Sequence, residues 1–194
     1  MKKVLLTLAL PVCLVMGQDQ PELPGWGVYV GYGMMGASVD EDAGDLETIS
    51  APGFGVSKGL MLGGLPLQVG LGIHPRGYKS EFEEDGLSSS MEVKAQYLDV
   101  WAQMPYPVGP AFLLGGVQLG TQIGGSVAME FMGVKIEEDL EPGDFDPDFG
   151  VNFGLGMPVG DTGAQVGVLY LLGLAEPSEG LKWNGLFFNL GYSF

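Results

Sequence analysis

The last nine residues, Leu186–Phe194 (LFFNLGYSF), restrict the fold more than any other stretch. Read with a period of two, Leu186, Phe188, Leu190, Tyr192 and Phe194 share one face, while Gly185, Phe187, Asn189, Gly191 and Ser193 share the other. Side chains along a strand point alternately to its two faces, so this spacing predicts a strand. Its sign is the reverse of what a soluble core needs. The bulky face is apolar and aromatic without a break, and the opposite face is mainly small or polar. A strand held between lipid and a narrow polar interior carries that pattern.

The composition limits what can surround this strand. The chain has 194 residues, enough for one domain or two small ones, with 46% hydrophobic and only 16% charged residues. Its 34 Gly follow no G-X-Y period, which excludes collagen. They sit inside strand-like runs such as GWGVYVGYG, where a helix would be penalised. At the start, Lys2 and Lys3 precede a mainly apolar run from Val4 to Met16, the proportions of a secretory signal peptide cut after Gly17. The single Cys, Cys13, lies in that run. Cleavage before it, as in a lipoprotein, would place the poorly suited Val12 at the site and leave a very short apolar core. Residues 18–194 then form the mature domain, without Cys and so without disulfides. No later run reaches the ~18 apolar residues of a membrane-spanning helix.

From Gly25 onward, alternating segments recur. The expected strands are Gly25–Met35, Ile49–Leu62, a third over Leu67–His74, Met91–Met104, Ala111–Val127, a sixth over Phe149–Met157, a seventh over Gln165–Leu174, and the C-terminal strand. Lys58 interrupts the apolar face of the second, and a bulge near Gly59 or snorkelling toward headgroups would accommodate it. Short turns (GGLP, PYPVGP, GDTG) alternate with long connections over 36–48, 75–90 and 129–148, and a modest one over 175–182. Eight strands in this rhythm place every short turn at one end, expected to be periplasmic, and every long loop at the other, expected to be extracellular. The three long connections, the modest one and their margins together hold 20 of the 24 acids. Charge is costly in lipid, so strands poor in it and loops rich in it fit a membrane. A soluble lipocalin-like barrel would need the opposite polarity, apolar inside and polar outside. The fold expected is an all-β, eight-stranded antiparallel up-and-down transmembrane β-barrel with long acidic extracellular loops, its interior filled by side chains.

An aromatic last residue with apolar partners two, four and six positions earlier resembles the C-terminal signal of bacterial outer-membrane β-barrels. The segment QYLDVWAQMPYPVGPAFLLGGVQLGTQIGG resembles the small eight-stranded outer-membrane barrels, including the outer-membrane protein β-barrel domain typified by PorT-like proteins. Tyr97, Leu98, Asp99, Val100, Gly115 and Gly116 carry the match, and Trp101 stands where the family usually has Pro. The resemblance implies fold and a cell outer-membrane location. It also implies contact with the barrel-assembly machinery through the C-terminal strand.

Chemistry is sparse. His74 is the only histidine, and Ser88, Ser89 and Ser90 follow it across a connection. Lipid A-modifying barrels pair Ser with His, but spacing alone assembles no triad, and a polar residue near a strand rim is the expectation. Asp144, Asp146 and Asp148 alternate as the carboxylates of a divalent-cation loop do, although Phe149 replaces the Gly an EF-hand would need there; a solvated acidic loop is expected. Asp99 falls on an inner face, where Arg76 or Lys94 would pair with it, or Gln103 and Gln118 would bond to it. No catalytic, cofactor-binding or metal-binding residue is assigned, and no enzyme is expected. After Gly17, 24 acids face six Lys and Arg, a field that discourages nucleic acid. The expected role is structural or surface interaction through the acidic loops, by a monomer in contact with outer-membrane lipid, lipopolysaccharide and basic partners. A narrow transporter of small or apolar solutes is the second reading, and a lipid A-modifying enzyme the third.

Overall fold

The computed structural model describes residues 25–39, 46–84 and 87–194. The leader read in residues 1–17 and the acids Asp40, Glu41, Asp42, Asp45 and Asp85 lie outside the described residues. Nine strands follow in chain order: β1 (Trp26–Val39), β2 (Ile49–Leu62), β3 (Leu65–Glu84), β4 (Leu87–Val108), β5 (Ala111–Phe131), β6 (Val134–Leu140), β7 (Asp148–Pro158), β8 (Ala164–Gly173) and β9 (Leu181–Ser193). Eight of them form a ring of antiparallel neighbours, β1-β2-β3-β4-β5-β7-β8-β9. It closes where β1 pairs with β9, from Gly27 opposite Ser193 to Val39 opposite Leu181. Closure removes the bare edges that an open sheet would expose.

The alternation resolves as the sequence predicts. Outward residues such as Val30, Val100 and Phe153 are 60%, 58% and 53% exposed, while inward Asp99, Gln118 and Asn152 are 0%, 5% and 4% exposed. Such a broad apolar exterior is incompatible with a barrel in water, and the lipocalin-like arrangement is excluded. Lys58 sits on the outer face opposite Trp26, its Nζ 4.6 Å from that ring's centroid. The β2 ladders run through this region without a shift in register, so no bulge is needed. Lys58 lies close to the end of β1, where a cation over an indole face suits the border of an apolar belt.

The turns at 63–64, 109–110 and 159–163 share one end with the start of β1 and the end of β9, here called the near end. Gly63 and Gly64, with φ of 59° and 85°, make the tight β2–β3 turn that opposes Leu62 to Leu65. At the far end the structure departs from expectation. Most of the presumed connections over 75–90 and 129–148 is strand: β3 continues to Glu84, β4 begins at Leu87, and β5 runs to Phe131 before turning into β6. Alternation persists there, with Tyr78, Ser80 and Phe82 on one face and Lys79 and Glu81 on the other. Only the outward chemistry changes, from apolar to charged, as it can beyond lipid. The pairs Met129–Ile136 and Phe131–Val134 mark the added hairpin. Beyond the ring, β3, β4, β5 and β6 therefore form a sheet with one charged and one apolar face. At its tip Phe131, Met132, Val134 and Ile136 are all more than half exposed.

Candidate functional site

The inner wall is built so that large side chains fit a narrow bore. A Cβ on Gly70 would stand 2.2 Å from Trp101, and one on Gly72 would stand 2.2 Å from the Tyr29 hydroxyl. Glycine at these positions lets two aromatic rings lie flat against the strands. Around them runs a connected set of polar side chains. The Trp101 Nε1–H donates to Tyr29 Oη at 3.1 Å, and Tyr29 Oη lies 3.0 Å from His74 Nε2. His74 Nδ1 is 2.6 Å from Asp99 Oδ2. With the Nδ1–H tautomer, every proton in this series points the same way: indole to phenol, phenol to imidazole, imidazole to carboxylate. Phe187 abuts the imidazole edge-on, with centroids 5.0 Å apart.

Arg76 continues the series with no exposed surface. Its Nη2 donates to both Asp99 oxygens at 3.1 and 3.3 Å, its Nε to Asp148 Oδ2 at 3.1 Å, and its Nη1 to the Pro75 carbonyl at 3.1 Å. A buried guanidinium requires such pairing, since an unpaired charge there is heavily penalised. Above it the bore is stopped by aromatic rings. Trp183 is 1% exposed, its Nε1–H donates to Tyr97 Oη, and Phe145 meets its ring edge-on at 5.5 Å. The segment over 141–147 is drawn into this plug, because Gln122 Oε1 accepts the backbone N–H groups of Gly143 and Phe145.

Below the Tyr29–His74 pair, toward the near end, lies a cavity of about 120 Å³. Gln103, Gln118, Asn152, Leu169, Phe187 and Asn189 are among its walls.

These positions settle the residues singled out in the sequence. Asp99 pairs with Arg76 and His74, whereas Lys94 bonds Glu92 and Gln103 bonds Gln68. His74 is not brought to Ser88, Ser89 and Ser90, which stand opposite Glu83, Phe82 and Glu81 along the β3–β4 hairpin. Asp144, Asp146 and Asp148 do not converge. Asp144 accepts the Glu141 backbone N–H, and Asp148, expected in a solvated loop, is 1% exposed on Arg76. Among the described residues no group of acids, His and Cys is arranged to hold a metal ion. The expected connections over 75–90 and 129–148 include Arg76 and Asp148, which the structure places in β3 and at the start of β7. Parity was the signal available for Arg76, since it shares the inward register of Gly72 and His74.

A closed antiparallel ring with an apolar exterior and a bonded polar bore defines a membrane-spanning β-barrel of the smallest size class. The chain belongs to the outer membrane protein beta-barrel domain family, whose model matches residues 5–194. Among solved structures it is similar to Neisserial surface protein A, with 12% identity, a TM-score of 0.51, and coverage of 89% of this chain and 99% of that one. A further similarity is to Ail, the attachment invasion locus protein of Yersinia pestis, at 15% identity and a TM-score of 0.47, covering 88% and 99%. No curated protein sequence matches the chain significantly.

Proposed function

We propose that this protein is a closed, non-conducting barrel of the outer membrane that works by presenting its far-end sheet to the cell exterior. One observation carries the reading: the bore is stopped by a fully paired buried guanidinium and an aromatic plug, while apolar side chains are exposed beyond it. Met132, at the tip of that sheet, has φ of 51°, an uncommon conformation for a side chain of its size, and is 65% exposed. With Gly133 at φ of 80° it forms the two-residue β5–β6 turn, which holds the Met132 side chain out at the tip as part of an exposed apolar patch. Around the tip, Glu130, Glu137, Glu138 and Asp139 outnumber Lys135, which pairs with Glu137, so the net field is negative and the partner chemistry is basic and partly apolar. The near end faces the periplasm in this reading, after export by the leader. The apolar exterior contacts lipid and lipopolysaccharide, and β9 is the strand offered to the assembly machinery. His74 acts as a structural group because both ring nitrogens are engaged.

Two measurements test this. Planar-bilayer recordings of the refolded protein are expected to stay flat; discrete conductance steps would instead support transport through the bore. Cells displaying the protein are expected to capture polylysine-coated beads in low salt. The Glu137→Lys/Glu138→Lys/Asp139→Lys variant should lower that capture about tenfold or more. Undiminished capture, or a shift in lipid A mass that depends on His74, would overturn the reading.

A further inference from the structure

On the wall of the near-end cavity, Gln118 and Asn152 are 5% and 4% exposed. Yet Gln118 Nε2 and Asn152 Oδ1 have no hydrogen-bond partner among the described residues. Buried amides are almost always satisfied, so these two, each atom with under 1 Å² of accessible surface, are poised to turn toward an occupant of the cavity that their residues line. They are neighbours: Gln118 is opposite Gly150 and Asn152 is opposite Gly116, one diagonal step apart on the inner face of the β5–β7 pair. One offers an N–H and the other an acceptor.

The remaining walls narrow the chemistry. No Lys, Arg, Asp or Glu lines the cavity, so a charged occupant would lose its hydration without gaining a counter-ion. Tyr29, Trp101, Phe187 and Leu169 supply flat and apolar surface. At about 120 Å³, the space approaches the ~150 Å³ of an engineered protein cavity that admits benzene, a ring of six heavy atoms. We propose that this cavity is a binding pocket for a small, flat, neutral molecule bearing a hydrogen-bond acceptor beside an N–H donor. That is the cis-amide edge of a small lactam ring of about six heavy atoms. Its carbonyl accepts from Gln118, its N–H donates to Asn152, and its ring lies among the aromatic side chains. The cavity extends past Pro105 to Phe112, close to the β4–β5 turn, which makes the near end the side of entry.

Gly156 provides the test. It lines the cavity, and a Cβ placed on it meets nothing closer than Leu114 Cδ1 at 3.5 Å, so a larger side chain there grows into the pocket. The probe is 2-pyrrolidone, a six-heavy-atom lactam, observed by saturation-transfer NMR on the protein refolded into micelles, with empty micelles subtracted. Saturable transfer is expected for the lactam. Cyclopentanone, which has the same ring without the N–H, is expected to bind about tenfold more weakly. Gly156→Leu should abolish transfer while keeping a heat-modifiable folded band. Gln118→Leu/Asn152→Leu should remove the preference for the lactam. The proposal is overturned by absent saturable transfer, by equal binding of the two rings, or by a Gly156→Leu variant that binds as the parent does.

Discussion

Arg76 holds more of the interior together than any other side chain. Replacing it with Met leaves Asp99 and Asp148 facing each other's field without a counter-charge. Removing one partner of a buried ion pair costs about 3–5 kcal/mol, and a drop of that size in urea unfolding of the micelle-bound protein is expected for Arg76→Met. Asp148→Asn should cost less, because Asp148 Oδ1 is already without a partner among the described residues. At the tip, Met132→Gly relieves the left-handed strain and should stabilise the β5–β6 hairpin by about 1 kcal/mol. Slower amide exchange across 129–136 would report it, and unchanged exchange would argue against strain. At this scale the sequence was partly legible. Asp99 was readable as an inward acid from its parity with Tyr97 and Trp101, but its partner was not. The same parity rule excludes Lys94, which is out of phase with Asp99 on β4, and favours Arg76, in phase with His74 on β3. Tyr29 shares the register of Gly27 and Gly31 on β1, but its place between Trp101 and His74 depends on how strands β1, β3 and β4 meet across the bore, which local spacing does not encode.

Among whole elements, the eight ring strands were visible because lipid forces one face of each to be uniformly apolar. Their lengths were not. The third strand is expected to end at His74, yet β3 continues through Lys79 and Glu81 to Glu84, and β4 begins at Leu87 rather than Met91. Charge is excluded only from strand surface in contact with lipid, so alternation outlasts the membrane. The hairpin of β5 with β6 falls inside the expected connection over 129–148, where Val134 and Ile136 stand among Lys and Glu and show no lipid-facing apolar run. Glycine content is legible once the aromatics are placed. Gly70→Ala drives a methyl group into Trp101 and should cost about 1–3 kcal/mol, whereas Gly115→Ala, with nothing within 4 Å of its Cβ, should be close to neutral. Parallel urea titrations of the two variants would separate socket glycines from bystanders. Equal effects would mean that the rings are not held by the bare wall.

For the molecule as a whole, a closed ring predicts an all-or-none change on heating. In sodium dodecyl sulfate the unboiled protein should migrate as a compact band that shifts on boiling, and a single unshifted band would contradict closure. The β1–β9 seam has a consequence for the order of events in the cell. On one side β1 pairs with the nearby β2, but on its other side residues 27–39 find their partners in residues 181–193, far along the chain. Contacts so distant in sequence form slowly, after a long stretch has been confined. Until β9 pairs with β1 and β8, the chain is therefore an unfinished sheet with two unpaired margins. A protein stopped at Gly180 would never lose them, and should be found in aggregates or cleared by proteases. Once the last strand docks, reopening requires breaking a continuous ladder at once, so the finished barrel is protected by the slowness of that event: its persistence is a matter of lifetime more than of equilibrium.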